Sequence, residues 1–281
     1  MGETGRCLRS KQEILAQFDT LRSQLDNFQD TREKLIKASR DATNLSKRLI
    51  FHLHHIMTEG SETGPGVAKI AHPKLVQIER LFADLRPDLG GDQFWRYQRA
   101  ISPGLQEYIE ALSFAHYLTH NSLITWSEVQ NRLSDESGSP VSCLSLSRSD
   151  ARLACTHFPL PIEDYLLGVS DLTGELMRYA ITAIPRKGGR ATASTVCAFL
   201  RQCKADFGAL THHSRELTKK QRVTVESLHK IEDVAYAVAI RCYEYDLPHD
   251  ILDDIVSRTL DTSQHGEFRG KQGDCADLGY Y

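Results

Sequence analysis

Apolar residues recur along this chain at spacings of three and four and almost never alternate. Ile14, Phe18, Leu21, Leu25 and Phe28 mark one stripe, and Leu45, Leu49, Leu53 and Ile56 continue an apolar edge further on. No proline or glycine falls between residues 11 and 57. The pattern predicts a single helix there, roughly 70 Å long at 1.5 Å per residue. That exceeds the core of one compact domain, so part of the helix is expected to pack on another subunit or along an assembly.

The break TEGSETGPG follows, and the next periodic segment predicts a helix over about 73–86. DLGGD reads as a turn. A helix over about 92–121 comes next, with Pro103 and Gly104 as a candidate kink. Thr125 and Glu128 have the form of a capping box opening a short helix over 125–133. Residues 134–160 are serine-rich and aperiodic, the pattern of a long mobile loop. Pro161 opens a helix to about 184, and PRKGGR ends it. Helices over about 192–207 and 215–244 complete the set, the latter striped by Val225, Leu228, Ile231, Ala235, Val238 and Cys242. Pro248 begins a short last helix, residues 261–281 read as a polar tail, and residues 1–10 as a flexible N-terminus. With no strand-like run, the fold class is all-α: a single-domain bundle of about seven helices over 11–260, with a very long N-terminal helix.

Composition narrows the function classes. The chain has 281 residues, 41% hydrophobic and 25% charged, with a net charge of −3, so no global basic field marks it as a nucleic-acid binder. Seven cysteines are scattered without a CxxC pair, which disfavours a zinc knuckle or a disulfide framework and favours a reducing compartment. No apolar run approaches a membrane span. The expected location is cytoplasmic, with the nucleus as a second compartment.

Against this ordinary background two acid pairs stand out. Glu107 and Glu110 are the only acidic or Lys/Arg residues between Gly104 and His120, and Asp171 and Glu175 the only ones between Tyr165 and Met177. Spacings of three and four put each pair on one helical face. Asp164, Gly168, Asp171 and Glu175 form a stripe beside the apolar stripe of Tyr165, Val169, Leu172 and Leu176, and the glycine leaves room for a substrate or another helix. On the other helix Leu105, Ile109 and Leu112 form the core stripe, with Glu107, Glu110 and Phe114 opposite. If the two acidic faces meet, the oxygen-only set suits Mg²⁺ or Mn²⁺ rather than zinc. The chemistry that fits is phosphodiester hydrolysis, with a spare carboxylate taking a proton from water. On spacing alone such pairs are more often a solvated face, or acids paired with lysines and arginines, but the near-absence of other charge around both pairs tilts the balance toward a site.

Other candidates are weaker. His52 and His55, three apart, lack an acid or cysteine ligand in register, and they read with His54 as packed or interfacial histidines. On the basic first helix Arg40 and Lys47, seven apart and so on one face, are the candidates for an RNA phosphate path. Phe94, Trp95 and Tyr97 suit either base stacking or helix packing.

Several blocks resemble the translin-associated factor X branch of the translin family: REKLIKASRDATNLSKRLIFHLHHI, GLQEYIEALSFAHYL, PIEDYLLGVSDLTGELMRYAI and FLRQCKADF. The resemblance covers about residues 11–255 with gaps. It implies a translin-like helical fold and the catalytic subunit of a Mg²⁺-dependent endoribonuclease, built with a translin-like partner into a hollow hetero-oligomer. Its implied substrates are single-stranded or nicked RNA, such as small-RNA passenger strands or tRNA-precursor fragments. By the same resemblance Glu107, Glu110 and Asp171 are the catalytic acids and metal ligands, Glu175, the remaining acid of the motif, is the fourth metal ligand, and Asp164 supports them from behind. Pro103 departs from the family pattern, where an uninterrupted helix is expected. The rival reading is a non-catalytic scaffold that stabilises a translin-like partner.

Overall fold

The computed structural model describes residues 11–59, 64–134, 158–186, 188–244, 251–252 and 254–261. The N-terminal segment 1–10, nearly all of the serine-rich loop, the start of the last helix at Pro248 and the tail beyond 261 lie outside the described residues. Every α-helix expected within them is present, and no strand occurs among them. The helices are α1 (Lys11–Glu59), α2 (Pro65–Leu85), α3 (Gln93–His120), α4 (Trp126–Leu133), α5 (Ile162–Ala183), α6 (Gly189–Leu210) and α7 (Arg215–Glu244), followed by a helical stretch over 254–261.

The centre of the bundle is α3. From Gly104 to Leu118 nearly every residue is buried, because α1, α2 and α5 all pack against it. α7 covers α5, and α6 fills the angle between them. The core runs through all these helices as one cluster, with Phe82, Tyr108, Phe114, Tyr117 and Phe158 among its largest members. Burial of Phe114 corrects the expectation that it lies opposite the core stripe with the two glutamates: α3 is enclosed on both faces.

α1 meets α3 mainly along its second half, with the Arg96 guanidinium of α3 stacked over the Phe28 ring ahead of it. Its buried positions Leu35, Ser39, Ala42, Ser46, Leu49, Leu53 and Ile56 alternate spacings of four and three, the seam of a coiled-coil-like contact. The small residues of that seam bring the helices close. A Cβ on Gly104 would lie 2.5 Å from the Ser39 carbonyl oxygen, so glycine is required there for steric reasons. The same serine heals the break at Pro103. Its hydroxyl accepts from the Gly104 N–H at 3.0 Å and donates to the Ile101 carbonyl at 3.3 Å. The helix therefore runs through Pro103 as one element, and the apparent departure from an uninterrupted helix is not one.

α2 starts eight residues before the expected position, with Pro65 in its first turn and Pro73 inside it. Pro73 is exposed, so water can hydrate the carbonyl whose N–H partner the proline removes. The capping box at α4 is formed: Glu128 N–H donates to Thr125 Oγ1 at 3.3 Å, and Thr125 N–H donates to Glu128 Oε2 at 2.7 Å. Pro161 is the N-cap residue of α5 and lies just outside the helix.

Candidate active site

The acidic stripes of α3 and α5 do meet. Gly168 fixes their approach: a Cβ there would lie 2.8 Å from both the Gln106 carbonyl oxygen and the Ile109 Cβ. The space expected for a substrate or a helix is taken by a helix. The crossing is bolted by Asp164, only 3% exposed, which accepts from Ser102 Oγ at 2.9 Å and Gln106 Nε2 at 2.7 Å. Asp164 thus holds α5 against α3 about two turns before Asp171.

Beyond that clamp lie Glu107, Glu110, Asp171 and Glu175. The Glu110 carboxyl is pushed up to about 8, first by burial, then by the charges of Asp171, Glu175 and Glu107, with Lys220 pulling the other way. Those causes are also a geometric statement: all three acids act on one buried carboxyl. The other three have cationic partners. Lys47 of α1 lies 3.2 Å from Glu107 Oε1. Lys220 of α7 donates to Asp171 Oδ2 at 2.5 Å and to the Leu167 carbonyl at 3.1 Å. Glu175 accepts from His54 Nε2 at 2.7 Å and from Arg178 Nη1 at 2.5 Å. Burial pushes Glu175 up, but these two partners more than reverse it and hold its carboxyl below the ordinary range.

A cleft of about 900 Å³ opens over the cluster, lined by Lys47, His54, Glu107, Glu110, Glu175, Arg178 and Lys230 among others. Asp171 lies outside that lining, turned toward Lys220. The donor set suits a hard divalent cation: carboxylate oxygens on rigid helices, with a surplus of negative charge that leaves Glu110 holding its proton. Among the described residues, no three acid, histidine or cysteine side chains are already close enough together to hold a metal ion. Binding one would require the lysine, histidine and arginine contacts to give way.

Of the sequence-predicted residues, the structure brings Glu107, Glu110, Asp171 and Glu175 together and sets Asp164 beside them as a helix clamp. Lys47 reaches the site; Arg40 is exposed on the same helix, one heptad earlier, and outside the cleft lining. Phe94 and Tyr97 are core residues, and only Trp95 is exposed. Sequence reasoning passed over three site residues. His54, set aside as a packing residue, bonds Glu175 and lies against Phe114, with ring centroids 4.7 Å apart. Its signal was present, since it follows Lys47 by seven residues. Arg178 follows Glu175 by three and was legible in the same way. Lys220 carried no such signal, because its role depends on how α7 packs on α5.

The chain matches the translin family over residues 30–242. It is 34% identical over 260 residues to the translin-associated protein X of Rattus norvegicus, an alignment covering 90% of this chain and 87% of that protein. Its fold is similar to that of apo-NeC3PO, with a TM-score of 0.57 at 18% identity, covering 78% of this chain and 95% of that one. It is similar also to AfC3PO in its complex with duplex RNA, with a TM-score of 0.55 at 16% identity, covering 80% of this chain and 97% of that one.

Proposed function

The chain belongs to the translin family, and on that premise we propose that it is the catalytic subunit of a Mg²⁺-dependent endoribonuclease, assembled with a translin-like partner and cutting single-stranded or nicked RNA. The observation that carries this reading is the buried Glu110, whose carboxyl keeps its proton up to about pH 8 because Asp171, Glu175 and Glu107 crowd it. Protein folds seldom gather four acids around one buried point unless a cation is meant to join them.

Glu107, Glu110, Asp171 and Glu175 would hold the ion, Mn²⁺ serving in place of Mg²⁺. When bound, such an ion polarises a phosphoryl oxygen and lowers the pKa of an attacking water. The chain's own groups do the rest. With the ion bound Glu110 would be ionised, and its remaining carboxylate oxygen would accept the proton of that water. Water's oxygen bonds to phosphorus, the P–O3′ bond breaks and the departing O3′ takes a proton from solvent, leaving 5′-phosphate and 3′-hydroxyl ends. Lys47, Arg178 and Lys230 at the cleft rim offset the negative charge of the incoming RNA backbone. Arg40 would extend that path along α1.

The assembly is supported by the free half of α1, where Ile14, Leu15, Phe18, Leu21 and Leu25 are exposed by 42–66%. That is more apolar surface than a lone helix face leaves in water. RNA as the ligand is supported by the likeness in fold to AfC3PO, a protein captured on duplex RNA. The cytoplasm, with the nucleus as a second compartment, is the location we assign.

The test is RNA cleavage by the chain assembled with its partner, with Mg²⁺ and with EDTA. Wild type is expected to cut only with the metal, and Glu107→Ala and Asp171→Ala are expected to lose the activity. Equal cleavage by those variants would sink the proposal. One observation favours a scaffold instead: three of the four acids are already paired with cationic side chains. In that case Glu107→Gln combined with Asp171→Asn would alter melting or assembly and leave cleavage intact.

A further inference from the structure

A second cavity, of about 140 Å³, shares the His54, Thr58 and Thr182 wall of the acid cleft and runs on between the end of α5 and the start of α6. Its chemistry is the opposite of the cleft's. No carboxylate lines it, and its charged member is Arg186. One guanidinium nitrogen of Arg186, Nη1, donates to the Met57 carbonyl, which ties the end of α1 to the end of α5 and fixes the guanidinium in place. Its other N–H groups remain available as donors.

Two hydroxyls complete the wall. Those of Tyr179 and Thr192 have no partner among the described residues, and the Tyr179 phenol lies within the electrostatic reach of Arg186. By contrast, the Thr58 and Thr182 hydroxyls already donate to the His54 and Arg178 carbonyls. The pocket therefore presents one fixed cation and two idle hydroxyl donors, without an acid. That is a site for an oxyanion, and fixed arginine geometry favours phosphate among oxyanions.

We propose that this pocket binds a phosphate group of the RNA other than the one that is cut, and so sets where along the strand the acid cleft acts. The proposal rests on the endoribonuclease reading. A cluster of four carboxylates repels a polyanion, so the substrate needs cationic anchors nearby, and this pocket is continuous with the cleft through His54. The phosphate could be an internal phosphodiester or a 5′-terminal monophosphate.

The test measures binding of fluorescent single-stranded oligoribonucleotides to the assembled complex in EDTA, across a salt series, so that cleavage plays no part. Loss of one phosphate contact lowers the slope of log affinity against log salt by about 0.7 for a single strand. Arg186→Gln is expected to show that change and to bind about tenfold more weakly. Because Arg186 also ties two helix ends together, Tyr179→Phe serves as the variant that leaves the fold alone, with an expected loss of roughly three- to tenfold. Lys219→Gln, at an exposed pair that lines neither cavity, is the control. Loss seen only with 5′-phosphorylated strands supports the terminal phosphate, and equal loss with 5′-hydroxyl strands supports an internal one. Unchanged affinity in Tyr179→Phe together with an unchanged slope in Arg186→Gln overturns the pocket while leaving the nuclease reading standing. Failure of that reading shows differently, as an unsubstituted complex that neither binds nor cuts RNA, and it overturns both.

Discussion

Asp164 and Glu110 are both buried acids at the α3–α5 crossing, 3% and 9% exposed, and their surroundings are opposite. Asp164 meets two neutral donors, Ser102 and Gln106, at ordinary hydrogen-bond lengths. Glu110, four residues beyond Gln106, meets three other acids and carries its burial cost as a raised proton affinity. The first arrangement is what a fold does with an acid it uses for cohesion. The second makes no sense as cohesion, because it stores repulsion that only a proton or a cation relieves. The contrast separates a structural acid from a functional one within two turns of helix.

The largest expected effect tests that separation directly. In the assembled complex, Asp171→Asn should lower RNA cleavage by on the order of 10³-fold, the scale of charge stabilisation lost when a metal site fails, while melting temperature stays nearly unchanged. Asp164→Ala should do the reverse. Losing two hydrogen bonds to a buried carboxylate should cost about 2–4 kcal/mol in chemical denaturation, with cleavage per folded molecule largely kept. If both variants lose activity and stability together, the two acids belong to one unit and the comparison fails.

The next effect is on the pH dependence of stability in metal-free protein. Glu110 has a folded-state pKa near 8 against an ordinary 4.5, so between those values the folded state binds the extra proton. Stability should therefore fall as pH rises from about 4.5 to 8 and level off above, with a total loss of roughly 5 kcal/mol, each pKa unit being worth about 1.4. Glu110→Gln should flatten that slope, and added Mg²⁺ should raise the melting temperature at pH 8 far more than at pH 5. A wild-type profile matching that of Glu110→Gln would mean the carboxyl is not crowded as described.

How much of this was legible beforehand differs between the helices and the contacts among them. The long α1, the capping box at Thr125 and Glu128, and the pairing of acids on two helical faces all follow from local spacing, and the sequence states local spacing directly. The start of α2 was misplaced because Pro73 looks like a beginning; only its exposure shows that a helix can run past it. The passage of α3 through Pro103 depends on a hydroxyl 64 residues away, Ser39, which no local pattern reveals. The site divides in the same manner. Four acids could be named from periodicity and resemblance. Lys220 could not; Asp164 was set apart as a supporting acid, but its partners Ser102 and Gln106 depend on which helix lies opposite.

The smallest effect asks whether helix approach, as distinct from acid identity, sustains the contrast. Two glycines of α5 differ only in what faces them. A Cβ at Gly168 would press at 2.8 Å on both the Gln106 carbonyl oxygen and the Ile109 side chain, whereas one at Gly174 would meet nothing within 4 Å. Gly168→Ala should push α5 off α3, costing about 1–3 kcal/mol. It should also lower cleavage, because Asp164 and Asp171 ride on the same displaced helix. Gly174→Ala should stabilise the protein by about 0.5–1 kcal/mol, since alanine loses less backbone freedom than glycine inside a helix, and should leave cleavage as it was. Denaturation and cleavage measured side by side distinguish the outcomes. If Gly168→Ala is as harmless as Gly174→Ala, the α3–α5 approach has slack, and the crowding of Glu110 must then come from the reach of the side chains and not from the fixed crossing of the two helices.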